Sequence, residues 1–154
     1  MQNTRNLDQL GRAIVDLLSF LSSPQRDDAL LREAGVDLDR ALFPLLVRLG
    51  IEGPLGVAEL ADQVGRDHTT VSRQLAKLAS LDLIERCGSD ADRRRRAARL
   101  TDDGKKIVRA ITVARRRVLS KALARWSETD RRALADLNRR FADSLIELAR
   151  ENAP

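Results

Sequence analysis

Apolar residues along this chain recur mostly three or four positions apart, the spacing of helices, and depart from it in one short stretch. Leu7, Leu10, Ile14, Leu17 and Leu21 step by 3, 4, 3 and 4, which predicts a helix from Leu7 to Leu21 whose stripe packs along another helix. Ser22-Ser23-Pro24 ends it. A short helix is expected over Asp28 to Ala34, closed by Gly35. Leu38 to Leu49 reads as a further helix with Leu42, Leu45, Leu46 and Leu49 on one side; Pro44 lacks the internal hydrogen bond, so a bend or a late start is expected. Gly50 to Gly56, with Pro54, reads as a turn.

Val57 to Val64 predicts a short helix carrying Leu60, Ala61 and Val64, ended by Gly65. Asp67 is a good N-cap for the next helix, His68 to Leu81. In that helix Val71, Leu75 and Leu78 face inward, while Thr69, Thr70, Arg73, Ala76 and Lys77 point the other way. The helical period then stops. Leu83 to Cys87 and Arg95 to Leu100 each read as a strand, joined by the turn-rich Gly88-Ser89-Asp90-Ala91-Asp92. Thr101 caps a long helix to about Leu123, with Ile107, Ile111, Ala114 and Val118 as its core side. A last helix starts at Ser127-Glu128-Thr129-Asp130 and carries the stripe Leu134, Leu137, Phe141, Leu145 and Leu148.

Charge sharpens this layout. Residues 1–63 hold 6 basic and 10 acidic side chains, a net −4; residues 64–100 hold 9 and 5, a net +4; residues 101–154 hold 13 and 8, a net +5. A basic middle beside an acidic beginning is what a localised polyanion-binding face gives, although an arginine-rich solvated surface gives it too. With three phenylalanines, one tryptophan and no tyrosine, the chain has little with which to stack on single-stranded bases. One cysteine, Cys87, forms no internal disulfide, which suggests the cytoplasm. Met1 to Arg12 is polar, and no apolar run approaches the roughly 20 residues of a membrane helix. A lone histidine, His68, and scattered carboxylates supply neither a metal site nor a catalytic pair, so no cofactor and no enzyme activity is expected.

A short helix, a three- to four-residue turn and a second helix make a helix-turn-helix, whose second helix suits the major groove. A hairpin follows directly, and its tip holds Arg93-Arg94-Arg95-Arg96, side chains suited to the negative potential of a minor groove.

These stretches resemble the MarR (multiple antibiotic resistance regulator) family of bacterial winged helix-turn-helix repressors. The matching residues are Glu59-Leu60-Ala61, Thr70-Val71-Ser72-Arg73, Leu78 through Leu83-Ile84-Glu85-Arg86, Asp92-Arg93-Arg94 and Leu100-Thr101-x-x-Gly104, the last two being the more specific. The end helices match the family's plan, so the resemblance covers nearly the whole chain. Two positions depart: Asp82 stands where the turn after the recognition helix usually has glycine, and Asp90 where the wing loop usually has proline.

The resemblance implies a mainly α fold, a single domain over 1–154. Residues 37–100 form a winged helix-turn-helix lobe with a two- or three-stranded wing, and residues 1–36 and 101–154 are mainly dimerisation helices. It implies a homodimer whose N- and C-terminal helices interdigitate, set on a pseudo-palindromic duplex operator. Carried over by position, Thr69, Thr70, Ser72, Arg73 and Lys77 are the major-groove and phosphate candidates. Asp92 orders the wing by pairing with a neighbouring arginine, Arg94 or Arg93 reaches the minor groove, and Arg95 and Arg96 complete the basic tip. The function implied is sequence-specific regulation by a repressor that a small-molecule effector releases; the alternative is an architectural DNA-binding protein with little operator preference. Peroxide-sensing relatives place a cysteine near the N-terminal dimer helix beside tyrosines, whereas Cys87 lies in the wing, so a buried or half-buried structural thiol is expected. Phe20, Phe43, Trp126 and Phe141 are candidates for an effector pocket or for plain core.

Overall fold

In the computed structural model, which describes residues 2–88 and 97–152, prolines open two of the first three helices instead of breaking them. After α1 (Gln2–Leu21), Pro24 begins α2 (Pro24–Ala34), four residues earlier than the periodicity predicts. A proline is well placed there, because the N–H it lacks has no partner in the first helical turn. Pro44 does the same for α3 (Phe43–Glu52), the late start that its position predicts. That helix continues through Gly50, which the sequence reading assigns to a turn. A Cβ at Gly50 would lie 2.8 Å from Cγ1 of Val108, so the missing side chain admits a close packing contact that outweighs glycine's poor helix propensity.

The remaining elements are β1 (Leu55–Gly56), α4 (Val57–Val64), α5 (His68–Ser80), β2 (Ile84–Cys87), β3 (Ala97–Leu100), α6 (Asp102–Ala122) and α7 (Glu128–Glu151). The strands form one antiparallel sheet in the order β1-β3-β2, with Leu55 opposite Ala98 and Ile84 opposite Leu100. The wing is therefore three-stranded, and its third strand is cut from the stretch expected to be only a turn.

Two compact units divide the chain, Met1–Arg115 and Arg116–Pro154. In the first, Leu45, Leu46, Leu49, Leu60, Val71, Leu75, Leu78, Ile84 and Leu100 form the main core, and Leu31, Phe43 and Ile111 form a smaller one. No buried side-chain polar atom among the described residues lacks a partner. The second unit differs: none of its described residues is fully buried. Val118, expected in the core beside Ile111 and Ala114, is 44% exposed, because it falls in the second unit, whose described residues form no buried core of their own.

The turn between α5 and the wing explains one matched motif. Asp82 has φ +56°, the single left-handed non-glycine among the described residues, a conformation aspartate tolerates better than most. Its carbonyl accepts from the Thr101 hydroxyl at 2.6 Å, and the Leu83 carbonyl accepts from the Thr101 N–H at 3.1 Å. The same hydroxyl oxygen accepts from the Gly104 N–H at 3.1 Å, capping α6. A Cβ on Gly104 would stand 2.1 Å from the Leu83 carbonyl oxygen, so Leu-Thr-x-x-Gly is the joint that seats α6 against the wing's root.

Candidate nucleic-acid interface

The helix-turn-helix is set by a turn of three residues. Gly65 closes α4 with φ +65°, the Arg66 N–H donates to the Ala61 carbonyl at 3.0 Å, and Asp67 caps α5. The Asp67 carboxylate accepts from the Thr70 N–H at 2.8 Å and from the Thr70 hydroxyl at 2.6 Å. The Thr70 hydroxyl and then its backbone N–H, with a smaller pull from the Arg73 guanidinium, hold this carboxyl below the ordinary aspartate value.

α5 has two unlike faces. Val71, Leu75 and Leu78 are buried against the lobe, and Thr69, Ser72, Arg73, Ala76 and Lys77 are exposed. Four of the five recognition-helix candidates thus share one open face. Thr70 departs from the expectation: it is half-buried, and its hydroxyl proton is committed to Asp67. What it retains for a ligand is an acceptor lone pair and a methyl group.

Arg66 and Gln74 were not singled out by the sequence reading. One Arg66 nitrogen, Nη1, donates both to the Ala41 carbonyl at 2.6 Å and to Gln74 Oε1 at 2.9 Å. These partners lie 25 residues before and 8 residues after it, and only an arginine in the turn itself hinted at the tie.

On the wing, Arg99 Nε donates to Glu85 Oε1 at 2.8 Å across directly opposed strand positions, which engages that arginine. Cys87 is half-buried, its thiol 3.5 Å from the Ala97 carbonyl oxygen. Asp92, Arg93, Arg94, Arg95 and Arg96 lie outside the described residues. At the wing's root a cavity of about 820 Å³ is lined by Leu49, Pro54, Leu100 and the charged Glu85, Arg99 and Lys105, among others. Its charges pair internally, Arg99 with Glu85 and Lys105 with Asp102.

Of the four aromatic residues, only Phe43 is core. Phe20 is exposed with the Arg26 guanidinium 4.1 Å from its ring centroid, Trp126 is exposed and Phe141 half-buried. His68 is exposed, and no helix among the described residues is long and apolar enough to cross a membrane.

A family described as HVO_A0114 matches residues 43–107, the stretch from α3 through the wing to the start of α6. The uncharacterized HTH-type transcriptional regulator YxaD of Bacillus subtilis is 31% identical over 111 residues, which cover 72% of this chain and 78% of that protein. Among solved structures, NMB1585, a MarR family regulator from Neisseria meningitidis, is 28% identical with a TM-score of 0.58, covering 96% of this chain and 99% of its own. A MarR family protein from Bacillus stearothermophilus superposes with a TM-score of 0.73 at 21% identity, over 94% of this chain and 96% of that one.

Proposed function

The chain belongs to the MarR family of winged helix-turn-helix transcriptional regulators, and from that premise we propose that it binds duplex DNA as a homodimer and reads base sequence with the outward face of α5. The observation that carries this reading is the open row Thr69, Ser72, Arg73 and Lys77 on a helix held from behind by Val71, Leu75 and Leu78. Arg73, mid-helix, is the candidate for guanine O6 and N7, which a guanidinium meets bidentately. Lys77, one turn on, is the candidate for a phosphate, with Thr69 and Ser72 beside them. Thr70 offers an acceptor and a methyl, suited to an amino group on a base edge or to a thymine methyl. Arg94 or Arg93 is the candidate for the minor groove and Asp92 for an ion pair with a neighbouring arginine, with Arg95 and Arg96 adding positive charge.

Two copies suit half-sites about one helical turn apart. A dimer so placed excludes other proteins from the duplex it covers, so repression is the output we assign. A small molecule that binds better to a differently spaced pair of lobes would release it. Fluorescence anisotropy tests the central step, using a duplex enriched from a random library by the wild-type protein and a scrambled duplex of the same composition. Arg73→Ala should cost about 1–3 kcal/mol on the enriched duplex and little on the scrambled one. Lys77→Ala should weaken both alike and lower the salt slope by about one per contact removed. Equal loss on both duplexes from Arg73→Ala would make α5 an anchor and not a reader.

A further inference from the structure

We propose that Arg66 is the positioning residue of the recognition helix, fixing the roll of α5 about its own axis by tying Gln74 to the main chain ahead of α3. The inference rests on α5 being the element that reads DNA.

Three apolar side chains in a row, Val71, Leu75 and Leu78, hold α5 to the lobe. Apolar burial has no preferred direction, so such a stripe limits roll by shape alone, with no bond geometry to set the angle to a few degrees. A head group about 6 Å from the axis moves about 1 Å for each 10° of roll. That displacement already exceeds the tolerance of a bidentate contact, which holds within roughly 0.5 Å. Reading a base from α5 therefore needs a directional restraint, and the Arg66 guanidinium supplies one.

Both ends of the restraint are themselves fixed. The Arg66 backbone is pinned by its N–H bond to Ala61 just after Gly65. The Ala41 N–H donates to Asp39 Oδ1 at 2.8 Å and the Leu42 N–H to the Asp39 carbonyl at 2.9 Å, and Leu42 is a core residue. From this anchored turn, the two hydrogens of Nη1 reach Ala41 and Gln74, both bonds partly shielded from water. Gln74 directly follows Arg73 in the chain, so holding one holds the backbone of the other. α2 closes the surroundings: burial and then Asp28 push the Asp27 carboxyl above its usual range, while Arg40 and Arg66 pull it down, and Arg40 pairs with Asp28 at 3.6 Å. All of these residues belong to one compact unit.

The test compares affinity for the duplex enriched from a random library with affinity for its scrambled counterpart. Arg66→Met keeps the aliphatic stem and removes both bonds; Gln74→Met removes only the bond to α5. Each should lower the ratio of the two affinities by about tenfold, the scale of a lost hydrogen bond to a charged group, with the salt slope unchanged. The double variant should lose no more than either single one. Gln74→Glu keeps an acceptor for the guanidinium, so it should weaken both duplexes through its charge and preserve their ratio. If Gln74→Met retains the wild-type ratio, the proposal is overturned, whatever Arg66→Met does to folding. The same holds if Gln74→Glu loses the ratio as fully as Gln74→Met. A wild-type ratio near one would remove the reading role of α5 itself, and this proposal with it.

Discussion

Leu75 and Leu137 lie in helices with similar apolar stripes, yet Leu75 is 1% exposed and Leu137 58%. The difference holds for whole regions. From α3 to β3 the predicted inward positions are met by the chain's own residues, and the core closes. In α1, by contrast, Leu7, Leu10, Leu17 and Leu21 stay open to solvent, and in α7 Leu137, Leu145 and Leu148 do the same. The same periodicity thus has two outcomes: a lobe complete within one chain, and end helices whose apolar stripes stay open, the faces that the proposed homodimer would cover.

The largest expected effect comes from charging the open stripe. Leu137→Glu with Leu145→Glu should weaken self-association by roughly ten-thousandfold or more, since burying each leucine is worth about 1.5–3 kcal/mol and a dimer loses four. Light scattering at micromolar concentration should give twice 17.2 kDa for the wild type and 17.2 kDa for the variant. A monomeric wild type would leave the open stripes of α1 and α7 without the proposed second copy.

Leu75→Ala should cost about 2–5 kcal/mol of unfolding free energy through the cavity it leaves. In denaturant titrations that loss should not change with protein concentration, whereas any loss from Leu137→Ala should. Gly104→Ala comes next, at about 1–3 kcal/mol, because the new methyl meets the Leu83 carbonyl rather than a yielding side chain. Calorimetry would show it as a lowered melting temperature. Cys87→Ser should be smallest, within about 0.5 kcal/mol. With no second cysteine in the chain, DNA affinity should be the same with and without peroxide; release of the wild type alone by peroxide would contradict this.

Much of the winged lobe was legible in the sequence because its signals are local. α4 runs over the predicted Val57–Val64, Asp67 caps α5 as expected, and Asp82 takes the left-handed turn that its position demands. The misses depend on distant partners. β1 is two residues long, too short for any alternation, and exists only because β3 lies beside it. Gly50 reads as a break until Val108 explains it, and Arg66 reads as one charge among many until Ala41, 25 residues earlier, receives its bond. For the recognition helix, periodicity separated the open face from the buried one; that the Thr70 hydroxyl proton belongs to Asp67 followed only from the cap geometry.

Whether α5 reads sequence is decided by the duplexes that the purified protein selects from a random library. The selected pool should carry one enriched motif, an inverted repeat with half-site centres about 10 base pairs apart, as two α5 helices related by a dimer axis require. A bound pool with no enriched motif, at affinities as high as any single duplex shows, would mean that α5 does not read sequence.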